Sequence, residues 1–337
     1  MSDKETNKKN KTFTADFWVY LLIFIVLIGI ICYFPVLFTE SGKLDFRNTG
    51  QIGDTIGGIM GPFVAIAAAI LTFLAFWVQF KANEQQRKDI ALERFESKFY
   101  KLLDLHIQNT YNLTINNLKG KEVFKYLVYD FYRIYKEVES IYKDMNTESS
   151  NPTNDEREML TRLSYGFFFY GSKFLHQNWD YKKSIENDLY KKAQEEFENK
   201  NYRYQIGSGY NMYLGHYYRN LFQLVKFVAN YDNYPLTERQ RYEYIKMARA
   251  QLSDYEQLML YYNSISDVGK NWNNIKNIDS NIPQQKMGYI ARFKLIKNIP
   301  FDSLIGLWPN LKYQNEMYVY QSLGERFFEH DLIKCSL

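Results

Sequence analysis

The sequence predicts an all-α protein: an N-terminal two-helix transmembrane hairpin followed by a cytosolic α-helical domain. Three observations predict it. Two long runs near the N-terminus, Trp18–Phe38 and Pro62–Phe80, carry no charge. Apolar residues beyond residue 80 recur at helical spacing. No alternation of apolar and polar residues persists, and no repeat period is visible.

The 21 residues of the first run, WVYLLIFIVLIGIICYFPVLF, suffice for a hydrocarbon core of about 30 Å. The run is too long for a signal-peptide core, and no small-residue cleavage site follows it. The second run, PFVAIAAAILTFLAFWVQF, is long enough to span as well. Trp18, Tyr20, Tyr33 and Trp77 lie near the ends of the runs, where aromatic rings favour the headgroup level. Basic residues set the orientation. Lys4, Lys8, Lys9 and Lys11 precede the first run, and Lys81, Arg87, Lys88, Arg94, Lys98 and Lys101 follow the second. Only Lys43 and Arg47 lie between. The expected layout is a cytoplasmic tail over 1–16, a hairpin over 17–80 and a cytosolic domain over 81–337. The spans occupy about 18–38 and 62–80, and the outer loop 39–61. The protein is then a multi-pass protein of the cytoplasmic membrane with both termini in the cytoplasm.

Composition agrees once the average is taken apart. The mean hydropathy of −0.44 combines two very apolar runs with a polar, aromatic remainder. The chain has 337 residues, with 42 Lys and Arg against 38 Asp and Glu, a net charge of +4. That balance disfavours nucleic acid as a partner bound through bulk charge. With 46% hydrophobic residues the chain is not disordered by composition. Two cysteines, Cys32 and Cys335, cannot build a disulfide framework. Thirty Tyr and 25 Phe require an aromatic core.

Gly53, Gly57, Gly61, Ala65 and Ala69 recur every four residues, which puts small side chains in one helical stripe. Such stripes let helix backbones approach closely. Packing of the second span on the first and self-association into a homo-oligomer both fit. Gly57, Gly58 and Pro62 also predict a kinked or unwound outer end.

The second span continues without a breaker through residues 81–110, where Phe95, Phe99, Leu102, Leu103 and His106 share a face. His106 reads as a core-edge histidine with a hydrogen-bond partner. Residues 121–145 form a helix with Phe124, Leu127, Phe131, Ile134 and Val138 in register. A linker follows at 146–155, then helices at about 156–176 and 180–199 and a break at 206–210. Residues 210–230 form a helix with Leu214, Tyr217, Tyr218, Leu221, Leu224, Val225 and Val228 inward and His216, Arg219, Asn220 and Gln223 outward. These outward groups suit directional hydrogen bonds. Residues 238–265 read as one helix, opened by a capping box of Thr237 and Gln240. Its apolar stripe is Ile245, Ala248, Leu252, Met259 and Tyr262. Arg249, Ser253, Glu256 and Asn263 border that stripe. An antiparallel pair through Pro235 would gather His216, Arg219, Arg249 and Glu256 into one polar network, either fixing helix register or binding a ligand.

No catalytic signature accompanies them. His106, His176, His216 and His330 are scattered, without a His-Glu-x-x-His motif, so neither a metal nor another cofactor is expected. Gly207-Ser208-Gly209 lacks the spacing of a nucleophile elbow. No Gly-Lys-Ser/Thr follows any glycine of the stripe, which excludes a Walker-type phosphate loop.

Five segments carry a resemblance. They are TGQIGDTIGGIMGPF at 49–63, TFLAFWVQFKANEQQ at 72–86, RFESKFYKLLDLH at 94–106, GYNMYLGHYYRNLFQLVKF at 209–227 and RAQLSDYEQLMLYYN at 249–263. In order and spacing they resemble the phage abortive infection family, the AbiC-like membrane proteins of bacteria. The resemblance implies a phage-defence protein with two N-terminal spans and a cytoplasmic helical domain, and transfers no active site. The leading expectation is a membrane-anchored protein that senses a phage-related trigger and transmits the response through its spans. Its partners would be the lipid bilayer and a phage or host protein. A membrane-tethered helical ribonuclease is an alternative, in which Arg219-Asn220 and His216 supply an electrostatic clamp and a general base; toxins of that kind have a His after Arg-Asn, and Phe222–Val228 holds none. A scaffold that recruits a partner is another.

Overall fold

The computed structural model describes residues 52–146, 152–172, 184–199, 209–273 and 282–329, with isolated positions between 19 and 33. Among these, Val19, Leu22, Ile23, Ile25, Val26, Gly29, Ile30 and Tyr33 are helical. The rest of the first apolar run, the tail 1–16, most of the outer loop, Cys335, His176 and His330 lie outside the described residues. The described part is mostly helical. The chain divides into two compact units, Met1–Ile90 and Ala91–Leu337.

The first unit holds the start of the long helix α1, Ile52–Asn112. The expected unwinding at its outer end is not found: the helix begins at Ile52 and passes through Gly57, Gly58 and Pro62. Between residues 61 and 80 only Ala67 is buried. Phe63, Ile66, Phe73, Phe76, Trp77 and Phe80 are all exposed. A soluble amphipathic helix hides one apolar stripe, whereas this segment is apolar all round and hides almost none. It is the one helix among the described residues long and apolar enough to cross a membrane. Just beyond it the surface turns polar. Lys81 lies over the Trp77 ring at 5.5 Å, and Lys88–Glu84 and Gln85–Asp89 pair one turn apart at 2.8 and 2.7 Å.

In the second unit α1 buries Phe95, Phe99, His106 and Thr110, with Leu102 and Leu103 half-buried. A minimal hairpin follows, β1 (Thr114–Ile115) against β2 (Leu118–Lys119). Its tip residues Asn116 and Asn117 have φ of 50° and 66°, the turn conformation that Asn tolerates. Four inter-strand positions leave no room for the alternation that marks longer strands. Helix α2 (Glu122–Met145) buries Phe124, Leu127, Phe131, Ile134 and Val138, the predicted stripe. Helix α3 (Asn154–Tyr170) opens on a capping box of Thr153 and Glu156 and stops at Gly171, whose φ of 82° other residues avoid. It therefore ends six residues before the predicted boundary of 176. Helix α4 (Ser184–Asn199) buries Leu189, Ala193 and Phe197. Helix α2 packs on α3 and α4.

Helix α5 (Asn211–Ala229) buries all seven predicted apolar residues. Helix α6 (Glu238–Arg249) has the predicted capping box, and Arg241 donates to the Val228 and Tyr231 carbonyls, holding the elbow from α5. The single helix expected over 238–265 is two helices: α6 ends at Arg249 and α7 runs Asp254–Ile265. The cause is Ser253, whose side chain accepts from the Glu256 amide while Glu256 accepts from the Ser253 amide at 2.7 Å. This second capping box restarts the helix. Every residue from Glu256 to Ile265 is buried, so α7 is the central rod of the bundle. It packs on α2 and α3. Rings fill the spaces: Phe131 meets Tyr262 at 4.3 Å, and Phe168 meets Tyr210 at 4.7 Å.

Beyond α7 the chain runs through short helical turns whose backbone is tied by side chains. Tyr261 donates to the Leu307 carbonyl at 2.8 Å. Tyr262 donates to the Ile305 carbonyl and accepts from its amide. Gln257 accepts from the Asn298 amide at 2.8 Å. Arg292 pairs with Glu238 through two bonds of 2.7 and 2.8 Å.

Gly209 sits where two backbone stretches cross. Its φ is +64°, and an added Cβ would stand 2.4 Å from the Phe169 carbonyl oxygen and 2.5 Å from the Gly171 nitrogen. Gly209→Ala is expected to cost at least about 2 kcal/mol, since neither backbone can yield. Gly324→Ala, also at positive φ but with nothing within 4 Å, is expected to cost about 1 kcal/mol. Denaturant melts of the two variants check the difference.

Candidate functional site

The residues singled out by sequence do not gather in one place. His216 and Arg219 are exposed on α5. Arg219 folds back along its own helix, donating from Nε to the Gly215 carbonyl at 3.0 Å, with Nη2 3.5 Å from His216 Nδ1. An added Cβ at Gly215 would stand 3.1 Å from Asn211 Oδ1 and in ordinary contact, 3.7 Å, with Arg219 Nη2. Asn220 is half-buried and Gln223 exposed on the same helix. Arg249 is buried at the end of α6, where the helix dipole favours a cation. It donates to the Phe293 and Lys294 carbonyls at 3.3 and 3.0 Å, and its guanidinium lies 5.8 Å from the Tyr242 ring. The four-residue network of His216, Arg219, Arg249 and Glu256 is thus not formed. The break at Ala250–Ser253 removes the register that would have aligned Arg249 with Glu256.

Glu256 and Ser253 do meet, in a junction of three helices. Glu256 is wholly buried. Its Oε2 accepts from the Ser253 amide and hydroxyl, both at 2.7 Å. Its Oε1 accepts from the Tyr217 hydroxyl of α5 at 3.0 Å and from Thr110 of α1 at 3.4 Å. Burial first, then the carboxylate, pushes the Tyr217 phenol well above its ordinary pKa, so it stays a donor. The His106 ring packs on Tyr217 at 4.8 Å between centroids. It is 1% exposed, and neither ring nitrogen has a partner among the described residues, contrary to the hydrogen-bonded histidine expected. Burial and the nearby Lys121 hold its pKa down at about 4.

Asn263 lies further along α7 and is also buried. It donates to the Tyr165 hydroxyl and accepts from the Trp272 indole, each at 3.1 Å. Gly269 packs against it so tightly that an added Cβ would stand 2.4 Å from Asn263 Oδ1. A second polar pair escaped the sequence reading: buried Asp130 accepts from Tyr210 at 2.8 Å and pairs with Arg133 at 3.3 Å. Burial raises the Asp130 pKa. Its position on an otherwise apolar face of α2 was the available signal. Of the small-residue stripe, Gly57, Gly61, Ala65 and Ala69 are exposed, and a Cβ at Gly57 or Gly61 would meet nothing within 4 Å among the described residues. The surroundings of Gly53 lie outside the described residues.

With α5 to α7 placed, the comparison with known proteins bears on that part of the chain. Residues 209–304 match the family model described as Putative phage abortive infection protein. The matched segment begins at the crossing glycine and contains α5, α6, α7 and the turns that Arg249 holds. It takes in two of the five resembling segments, 209–227 and 249–263, and extends past them. No curated protein and no solved structure matches the chain. The abortive-infection match falls on a helical framework whose buried polar groups satisfy one another.

The junction has two measurable consequences. Glu256→Ala leaves the Tyr217 hydroxyl and the Ser253 amide without their acceptor and is expected to cost about 2–4 kcal/mol. Glu256→Gln, which keeps an acceptor oxygen, should cost less. His106 binds a proton in the unfolded chain below about pH 6.5 but in the folded protein only below about 4. Unfolding therefore takes up a proton within that window. His106 has its full stabilising effect above about pH 6.5 and loses it as pH falls toward 4, by about 3 kcal/mol in all. The stability difference between pH 7 and pH 5 should shrink in His106→Phe, as followed by denaturant melts.

Proposed function

We propose that this chain is a membrane-anchored phage-defence protein of bacteria. The match of residues 209–304 to the abortive-infection family carries the defence reading. The exposed apolar segment of α1 supports the anchor. A helix with Phe63, Phe73, Phe76, Trp77 and Phe80 turned outward on several faces has no stable place in water, and a bilayer supplies its solvent. The first apolar run at 18–38 provides a second span. The basic residues that flank both runs place the two termini in the cytoplasm and the loop 39–61 outside. The small-residue stripe then packs on the first span or on a second copy.

In this reading the helical domain senses a phage-related trigger and the spans anchor it or transmit the response. His216 and Arg219 form a surface pair with no carboxylate bonded to either among the described residues, which is little for acid–base catalysis.

Cells carrying the intact gene are expected to restrict plaque formation. Leu71→Arg puts a charge near the middle of the second span at a cost of about 3 kcal/mol for insertion. The variant should fail to insert its second span and lose restriction, while the run at 18–38 still holds it in the membrane fraction. Restriction by protein lacking residues 1–80 would refute the anchored reading. Depolarisation on infection, followed with a potential-sensitive dye, separates a leak from signalling through a partner.

A further inference from the structure

Helix α5 is the one helix longer than ten residues among those described that contains no Asp or Glu. Its outward groups His216, Arg219, Gln223 and Lys226 follow one face at offsets of 0, 3, 7 and 10, and all four are exposed. Helix α1 runs beside it in the opposite sense, since His106 meets Tyr217 while Phe95 meets Phe227 at 5.4 Å. The α1 edge bordering α5 carries Arg94, Lys98 and Lys101 at offsets of 0, 4 and 7, all exposed. Lys98 Nζ lies 4.8 Å from the Phe227 ring centroid. Arg94, Lys98, Lys101, Arg219 and Lys226, with His216, therefore form a strip that crowns the outer faces of two adjacent helices, and none pairs with a carboxylate among the described residues. Two carboxylates on the same stretch of α1 are engaged elsewhere: Glu96 accepts from Tyr244 at 2.7 Å, and Asp104 from Gln108 at 2.6 Å.

We propose that this strip is the docking groove for an acidic, amphipathic helix of a partner protein. The charge calls for an anionic partner. The floor decides which kind. Phe227 is half-buried under Lys98, and Leu102, one turn on from Lys98, is half-buried as well, so the strip offers apolar contact area among its cations. A helix with carboxylates along its sides and an apolar edge fills both features. A nucleic-acid backbone has no apolar edge to place there. A lipid surface is met by apolar groups that protrude along its length, whereas Phe227 and Leu102 are half-buried and the exposed Met212 and Leu105 lie only toward the end of the strip where α5 begins. Gln223 and Asn220 add amide groups between the charges. The groove does not depend on the defence reading, and a failure of either leaves the other standing.

The test uses the full-length protein in nanodiscs of zwitterionic lipid. The probe is a fluorescein-labelled amphipathic Glu/Leu helix of about twenty residues, read by anisotropy. Saturable binding that weakens with salt is expected. The double variant Lys98→Glu with Arg219→Glu should weaken it at least about tenfold, whereas Lys191→Glu with Lys192→Glu on α4 should leave it unchanged. Equal binding by the first variant overturns the proposal. So does tighter binding of a single-stranded RNA of equal charge, or of anionic phosphatidylglycerol vesicles. A photo-crosslinker at Gln223 in the otherwise unaltered protein keeps the test independent of variant folding: it should capture the peptide, and failure to do so also overturns the proposal.

Discussion

The second unit is organised around the buried carboxylate of Glu256. A charge without solvent is tolerable only when its lone pairs are filled, and four donors fill them here: the Ser253 amide and hydroxyl, the Tyr217 hydroxyl and the Thr110 hydroxyl. They come from the start of α7, from α5 and from α1. No one of those helices can shift by a turn without stripping the carboxylate of a partner. The junction therefore sets the register of α1 against the bundle, and with it the position of His106 against Tyr217. It also fixes where α7 begins, because the residue that gathers the three helices is itself half of a capping box.

Much of this was legible in the sequence, and what was not has physical causes. The stripes of α2 and α5 were read residue by residue, because a strong 3.6-residue period leaves little freedom. Thr237 and Gln240 announce a cap, whereas Ser253 and Glu256, the same motif sixteen residues later, sit inside an apolar stripe that looks continuous. An apolar stripe that crosses a break still looks periodic, and Leu252 and Met259 concealed it. The two helices so joined sent Arg249 to the carbonyls of residues 293 and 294 rather than toward Glu256. His216 and Arg219, for their part, stay on the outer face of α5, where Arg219 folds back onto the Gly215 carbonyl. His106 was correctly placed toward the core, but its lack of a partner is a matter of three-dimensional surroundings that spacing cannot reveal. The hairpin at residues 114–119 was invisible for a simpler reason: two residues per strand hold no pattern.

The membrane reading and the domain reading rest on different kinds of observation. Along residues 61–80 the decisive fact is exposure of apolar side chains on every side. In the second unit it is the reverse, since polar groups such as Asn263, Asp130 and Arg292 are buried and bonded. The family match falls on the second kind of structure alone.

The irregular stretch after α7 shows what its tyrosines accomplish. Its backbone groups lack a ladder of their own and are held instead by phenols and amides projecting from α7, each reaching one particular peptide: Tyr262 to residue 305, Tyr261 to residue 307 and Gln257 to residue 298. Fastened at fixed intervals along a rigid rod, the segment is insensitive to many changes of side chain but intolerant of changes in length. Adding or removing a single residue between 298 and 307 would misphase every fastening beyond it. The abundance of tyrosine over phenylalanine in this chain is, in this sense, a means of measuring out polypeptide.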